Sequence, residues 1–305
     1  MKRAALALVA ATFLPAALAA QTAVDQRHPA TADGTVSIEN TAGSTKVTGW
    51  ERPEVQVKGT VCGECELAVS GKGKQVHVEI ESHHVNPMSG KSEIEVFVPA
   101  GCSVSVEGFS ASIVIAGVTG GVKAETVNGS IRHSGPSKDT NVQSVNGVVE
   151  TTGAAGRVQA EAVNGTVTVR DASGELTAST VNGKLAVAGG SFTRAALETV
   201  SGTIHFEGAL AANGKLSVET VSGGVDLLFP AGFGADFSVS TFSGAVTNEL
   251  GPPAQKSNEW TPLSPTSQTR PPPTARSTNS PPAHAVEGTT ASAASARPAN
   301  AERLT

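Results

Sequence analysis

The residues of this 305-residue chain best suited to chemistry gather in its N-terminal third: Cys62, Cys65, His77, His83, His84 and Met88. Cys-x-x-Cys with histidines nearby is a spacing that binds a soft metal or runs thiol–disulfide chemistry. The pair also sits between two strand-like segments, where a small turn disulfide is an equally natural use in an exported protein. Free thiols are the third reading, and the sequence leaves all three open. His83 and His84 fall in a loop with Pro87 and Ser89, where exposure to solvent is expected. Cys102, at the start of a strand-like segment, reads as a small buried hydrophobe.

Carboxylates come next. Glu125, Glu161, Glu198 and Glu219 recur at corresponding places, and glycosidic chemistry uses paired carboxylates a few ångströms apart. Gln143, Ser179 and Ser240 interrupt the series, as a solvated outer face allows and an active site does not. Ser89-Gly90-Lys91-Ser92 ends like a phosphate loop, but Val85 stands where the earlier glycine belongs and no helical pattern comes after it. It reads as a turn between strands. Asn128-Gly129-Ser130 and Asn164-Gly165-Thr166 match glycosylation sequons, which a Ser/Thr-rich repeat produces incidentally. Acidic calcium-binding repeats of the Gly-Gly-x-Gly-x-Asp type are absent. No catalytic, cofactor or metal site is expected.

The elements that position these residues come from a repeat. The central Asn or Ser of each unit falls at Ser110, Asn128, Asn146, Asn164, Asn182, Ser201, Ser222 and Ser243, at spacings of 18, 18, 18, 18, 19, 21 and 21, and glycine comes next at all of them but Ser110. Two and four residues earlier the chain places small or apolar side chains, such as Thr126 and Ala124 or Ala162 and Ala160. Polar ones alternate with them, such as Lys123 and Glu125 or Gln159 and Glu161. That is the period of a strand with one face buried. Three residues after that Asn or Ser runs a second apolar column: Ile113, Ile131, Val149, Val167, Leu185, Ile204, Val225 and Val246. Each unit is therefore two short strands with a corner between them and a looser Gly-rich turn behind.

Asn-Gly between apolar runs also signals hairpins, so a closed meander is the rival. Membrane barrels want strands of ~9–11 residues and aromatic girdles, whereas these strands are short and Tyr is missing. The expected fold is all-β, a β-solenoid of 18–21-residue rungs with a right-handed crossover. Asn128, Asn146, Asn164 and Asn182 are expected to stack about 4.8 Å apart and hydrogen-bond as a ladder. Each following glycine is expected to supply a positive-φ corner.

The chain divides accordingly. Lys2 and Arg3 before the apolar run from Ala4 to Ala20 predict a signal peptide over 1–20, with no lipid-anchor cysteine at its end. Residues 21–100 alternate like strands and open the solenoid; 101–250 hold the repeats. Residues 251–305 carry ten of the 17 Pro and are expected to be disordered. A net charge of −5 without a basic cluster argues against nucleic acid. Gly reaches 33 residues and aromatics only 4%, a core of Val, Ile, Ala and Thr in thin β layers.

Four stretches resemble a known family: "GTVSIENTAGSTKVTGW", "VFVPAGCSVSVEGFSASI", the Val-Asn-Gly and Val-Ser-Gly units, and "ETVSGGVDLLFP". The family is the exported bacterial putative-adhesin β-solenoid family, a neighbour of the auto-transporter adhesin head (GIN) domains. The resemblance covers about Thr35 to Pro262. It implies a solenoid fold and brings no catalytic residues, and it does not require cysteine at positions 62 and 65. Relatives continue beyond "NEWTP" with another rung, so 263–305 is either a genuine tail or an out-of-frame reading. The functional expectation is a non-catalytic module of the cell envelope, periplasmic or at the surface, without a membrane span, that contacts glycan or protein. The alternatives are a polysaccharide-processing enzyme and an envelope metal or redox sensor.

Overall fold

The computed structural model describes residues 21–82, 90–230, 246–248 and 294–299. The expected signal peptide (1–20), His83, His84, Met88 and the tail other than 294–299 lie outside the described residues. The strands are β1 (Thr22–Glu39), β2 (Ala42–Trp50), β3 (Glu54–Val61), β4 (Cys65–Ser82), β5 (Ser92–Pro99), β6 (Ser103–Gly108) and β7 (Ser110–Ala116). They continue with β8 (Gly121–Asn128), β9 (Ile131–Ser134), β10 (Asp139–Thr152), β11 (Ala155–Arg170), β12 (Ser173–Pro230), β13 (Val246–Asn248) and β14 (Ala294–Ala299). No helix occurs among the described residues, and so none long and apolar enough to cross a membrane.

Pairing tracks the sequence repeat. The second half of β1 lies parallel to β6, β6 to β8, and β8 to the first half of β10, which pairs in turn with β11. A second parallel series runs β5–β2–β7–β9 and on to the second half of β10. Asn146 faces Asn128 on one side and Asn164 on the other, so neighbours differ by the repeat length. Parallel neighbours exclude the hairpin meander, whose strands would alternate in direction. At the N-terminal end β3 runs antiparallel to both β1 and β5 and bridges the two series.

The interior is a set of columns. Val106, Ala124, Val142, Ala160, Ala178 and Leu197 form one, and Ile113, Ile131, Val149, Val167, Leu185 and Ile204 another; all are buried. Burying one such Val, Ile or Leu side chain contributes roughly 1.5–3 kcal/mol. Toward the C-terminal end the buried rings of Phe192, Phe206 and Phe229 pack tilted against one another, with centroids 6.0 and 5.7 Å apart.

Three local expectations are corrected. Asn146-Gly147 does not interrupt a strand: β10 runs through it, and Gly147 pairs with Gly165, because stacking like on like carries the parallel ladder past the corner. Gly129, Gly147, Gly165 and Gly202 lack positive φ; among the described corner glycines only Gly183 and Gly223 have it. Close stacking demands glycine instead, since a Cβ on Gly165 would sit 1.8 Å from the Gly147 carbonyl oxygen. The positive-φ residues lie largely in the other turn, at Gly117, Gly135, Gly153, Asp171 and Gly189. Finally, Ala294–Ala299, in the segment expected to be disordered, forms β14 parallel to Val225–Pro230 and to β13. An open parallel edge offers unpaired backbone groups to any extended segment that reaches it.

Candidate functional site

The candidate site is the outer face of the first parallel series, beside the Asn corner. Period-two alternation sends Glu125, Gln143, Glu161 and Ser179 outward, and the register sets each opposite the next. The column also extends the other way, through Glu107 and Glu39 to Glu79. Five of seven consecutive positions are therefore carboxylates, about 4.8 Å apart along the stack. Like charges directly opposed on neighbouring strands destabilise a sheet. Two bases answer them. Lys123 Nζ lies 2.9 Å from Glu125 and 3.8 Å from Glu107, while His77 Nε2 lies 3.4 Å from Glu79 and 3.8 Å from Glu39. The Lys123 ammonium is held above its ordinary pKa by the hydrogen bond to Glu125. Glu161 accepts a hydrogen bond from Gln159 Nε2 at 2.7 Å.

Next to this column runs an apolar one. Phe109, Val145, Val163, Val181, Val200 and Val221 are exposed, from 39% for Val181 to 56% for Val221, and Val127 is half-buried. A groove of about 380 Å³ lies between the two, touched by Glu125, Glu161, Val145 and Val163 among others. Sequence reasoning singles out Val-Asn-Gly yet leaves its Val unassigned. The signal is present, because alternation that turns Thr126 inward must turn Val127 outward. Strand propensity alone does not require Val here, since Thr supplies the same β-branching with a hydrated side chain.

The corner makes this face rigid. Asn146, Asn164 and Asn182 each donate from Nδ2 to Oδ1 of the Asn one repeat earlier, at 3.0, 3.1 and 3.1 Å. From inside, the hydroxyls of Thr126, Ser144 and Thr180 donate to the carbonyls of Ala111, Gly129 and Gly165. In Thr-Val-Asn-Gly the Thr caps, the Val faces solvent, the Asn forms the ladder and the Gly permits contact. Asn128 and Asn164 of the two sequon matches both belong to that ladder.

Of the sulfur and histidine group, Cys62, Cys65 and His77 are described, and these three do not assemble as a ligand set. Cys62 and Cys65 form a disulfide with Cα atoms 5.0 Å apart, which removes both thiolates as ligands. Cys65 N–H donates to the Cys62 carbonyl at 2.9 Å, and Ser92 Oγ accepts from Cys62 N–H at 3.1 Å. Ser92, the last residue of the phosphate-loop-like stretch, thereby opens β5 against the disulfide turn. His77 lies on the outer face with Glu39 and Glu79. Among the described residues no group of three His, Cys, Asp or Glu is placed to hold a metal ion. Cys102 is fully buried, and burial pushes its thiol up to about 11.

A parallel stack with these corner columns is a recognisable class of all-β repeat architecture. The chain belongs to the Toastrack DUF4097 family, which it matches over residues 28–270. Two solved structures are similar to it. A "putative adhesin" from Bacteroides fragilis NCTC 9343 is 16% identical, with 66% of this chain and 98% of that one covered and a TM-score of 0.34. A "putative cell adhesion protein" from Clostridium sporogenes ATCC 15579 is 10% identical, with 67% and 98% covered and a TM-score of 0.30. No curated protein matches the chain.

Proposed function

We propose that the chain is an exported, non-catalytic β-solenoid of 18–21-residue rungs whose outer face binds a partner in the cell envelope, in the periplasm or at the surface. The observation that carries this reading is the exposed apolar column beside the acidic one, repeated rung after rung on a rigid corner. A contiguous exposed apolar stripe on a soluble fold marks an interaction site. Repeat proteins use such extended faces for binding. Export rests on the charged and apolar segment at 1–20, and the disulfide agrees with an oxidising compartment.

The same face argues against hydrolysis. A glycosidase needs one protonated carboxyl and one ionised carboxylate on either side of the scissile bond. Here the carboxylates stand side by side in one column, with Lys123 between Glu107 and Glu125, rather than facing each other across a cleft.

The test is binding of the exported chain to a glycan array and to an envelope protein fraction, with Val163→Asp/Val181→Asp as the control. Binding lost in that variant supports the reading. Absence of any binding sinks it. Substrate turnover abolished by Glu161→Gln would make the chain an enzyme instead.

A further inference from the structure

The binding face is specific enough to name the chemistry of its occupant, an inference that rests on the binding-module reading. The outward column in stacking order is Glu79, Glu39, Glu107, Glu125, Gln143, Glu161, Ser179. Every second position from Glu39 is a carboxylate: Glu39, Glu125, Glu161. The interruptions at Gln143 and Ser179 fall on the alternate positions. Two rungs span about 9.6 Å. A polyproline II helix advances about 9.3 Å in its three-residue turn, whereas a β-strand returns to the same face after only ~6.6 Å. A ligand lying along the groove in polyproline II form therefore presents one side chain per two rungs, in step with Glu125 and Glu161 in the groove and with Glu39 where the column continues past its end.

We propose that this groove is the docking track for a polyproline II segment of a partner protein, carrying Arg or Lys at every third residue and small apolar residues between. The cations meet the acidic column, and the ring or methyl groups of the intervening residues lie on Val145, Val163 and Val181, which are exposed. Charge complementarity selects the sign: five carboxylates face the column's own Lys123 and His77. Lys123 is 47% exposed, so an incoming guanidinium displaces it from Glu125 at little cost. Glycans fit less well, since sugar rings stack on aromatic rings and Phe109 is the single aromatic among the described residues of the stripe.

The experiment is fluorescence anisotropy with the full exported chain and three labelled probes: an Arg-Pro-Ala repeat peptide, its Glu-Pro-Ala counterpart, and a peptide of the first composition with its Arg residues clustered. The regular Arg peptide is expected to bind, the clustered one more weakly and the Glu peptide not at all. Glu39→Gln/Glu125→Gln/Glu161→Gln is expected to weaken binding about tenfold, yet to melt no lower than the wild type, because like-charge repulsion is relieved. Equal binding of regular and clustered peptides, unchanged affinity in the triple variant, or no binding of the Arg peptide each overturns the proposal. If the Arg peptide fails while Val163→Asp/Val181→Asp still abolishes binding to envelope material, the cationic partner falls and the binding module stands. If both fail, both fall.

Discussion

Gly147 lies so close over Gly129 that a Cβ on Gly147 would stand 1.7 Å from the Gly129 carbonyl oxygen. The same contact recurs from Gly165 to Gly147, Gly183 to Gly165, Gly202 to Gly183 and Gly223 to Gly202. The corner is thus a glycine stack in which backbone packs on backbone, and the neighbouring Asn ladder is possible because the paired strands approach this closely.

Gly147→Ala should therefore be destabilising even though its backbone does not need positive φ. The obstacle is a backbone oxygen that cannot move without shifting the neighbouring strand, and overpacking of this kind costs about 1–3 kcal/mol. Gly153 is the contrast: nothing lies within 4 Å of its Cβ position, but its φ is +71°. There Ala should cost about 1–2 kcal/mol from conformation alone. Urea melts of both variants check this, with the exposed Glu175→Gln as a near-silent control. An unchanged midpoint for Gly147→Ala would remove the steric account of the corner.

The Asn ladder makes a graded prediction. Asn164 donates to Asn146 and accepts from Asn182, whereas Asn128 accepts from Asn146 at the start of the run. A net hydrogen bond contributes about 0.5–1.5 kcal/mol, with exposed ones at the low end. Asn164→Ala should lose about twice as much stability as Asn128→Ala. Equal losses would mean that the amides contribute little beyond their backbone.

The period, the inward columns and the ladder are readable in the sequence because each is local: a residue type returns at a fixed interval. What is not legible there depends on pairing between distant segments. Glu39 and Glu79 join the acidic column only because β1 pairs in parallel with β4 and β6, and no repeat announces that. The antiparallel bridge of β3 is equally non-local. The reason for glycine at the corner is easily mistaken, because Asn-Gly signals positive φ in hairpins and only the stacked geometry reveals the close contact. The disulfide is set apart from free thiols and metal by the approach of Cys65 to Cys62 across the turn, which spacing alone leaves open.

The cysteines give the next prediction. The oxidised chain should show one reactive thiol, Cys102, and only after denaturation, since that residue is buried. Closing so short a loop restricts the unfolded chain little, so Cys62→Ser/Cys65→Ser should cost only about 2 kcal/mol in the chain-entropy account. Thiol titration with and without denaturant reads the first statement, and chemical melts read the second. Three thiols after denaturation without reductant would mean that the pair is open.

His133 is the chain's built-in acid sensitivity. Its ring is 2% exposed, neither nitrogen has a hydrogen-bond partner, and its neighbours in register are Ile115 and Thr151. Thr151 Oγ1 is itself buried without a partner. Burial lowers the imidazole pKa from 6.5 to about 4, because the low-dielectric interior disfavours the charged ring. Above pH 6.5 the ring is neutral whether the chain is folded or not, and it leaves stability unchanged. Below 6.5 the unfolded chain takes up a proton that the folded one refuses until about pH 4. Stability therefore falls with pH across that window, by roughly 3 kcal/mol at its lower end. His133→Val places the residue type of Val169 and Val187 at the equivalent position and removes this loss. The difference in unfolding free energy between variant and wild type should widen by about that amount between pH 7.5 and pH 4. A constant difference would show that His133 is hydrated or paired in the folded chain.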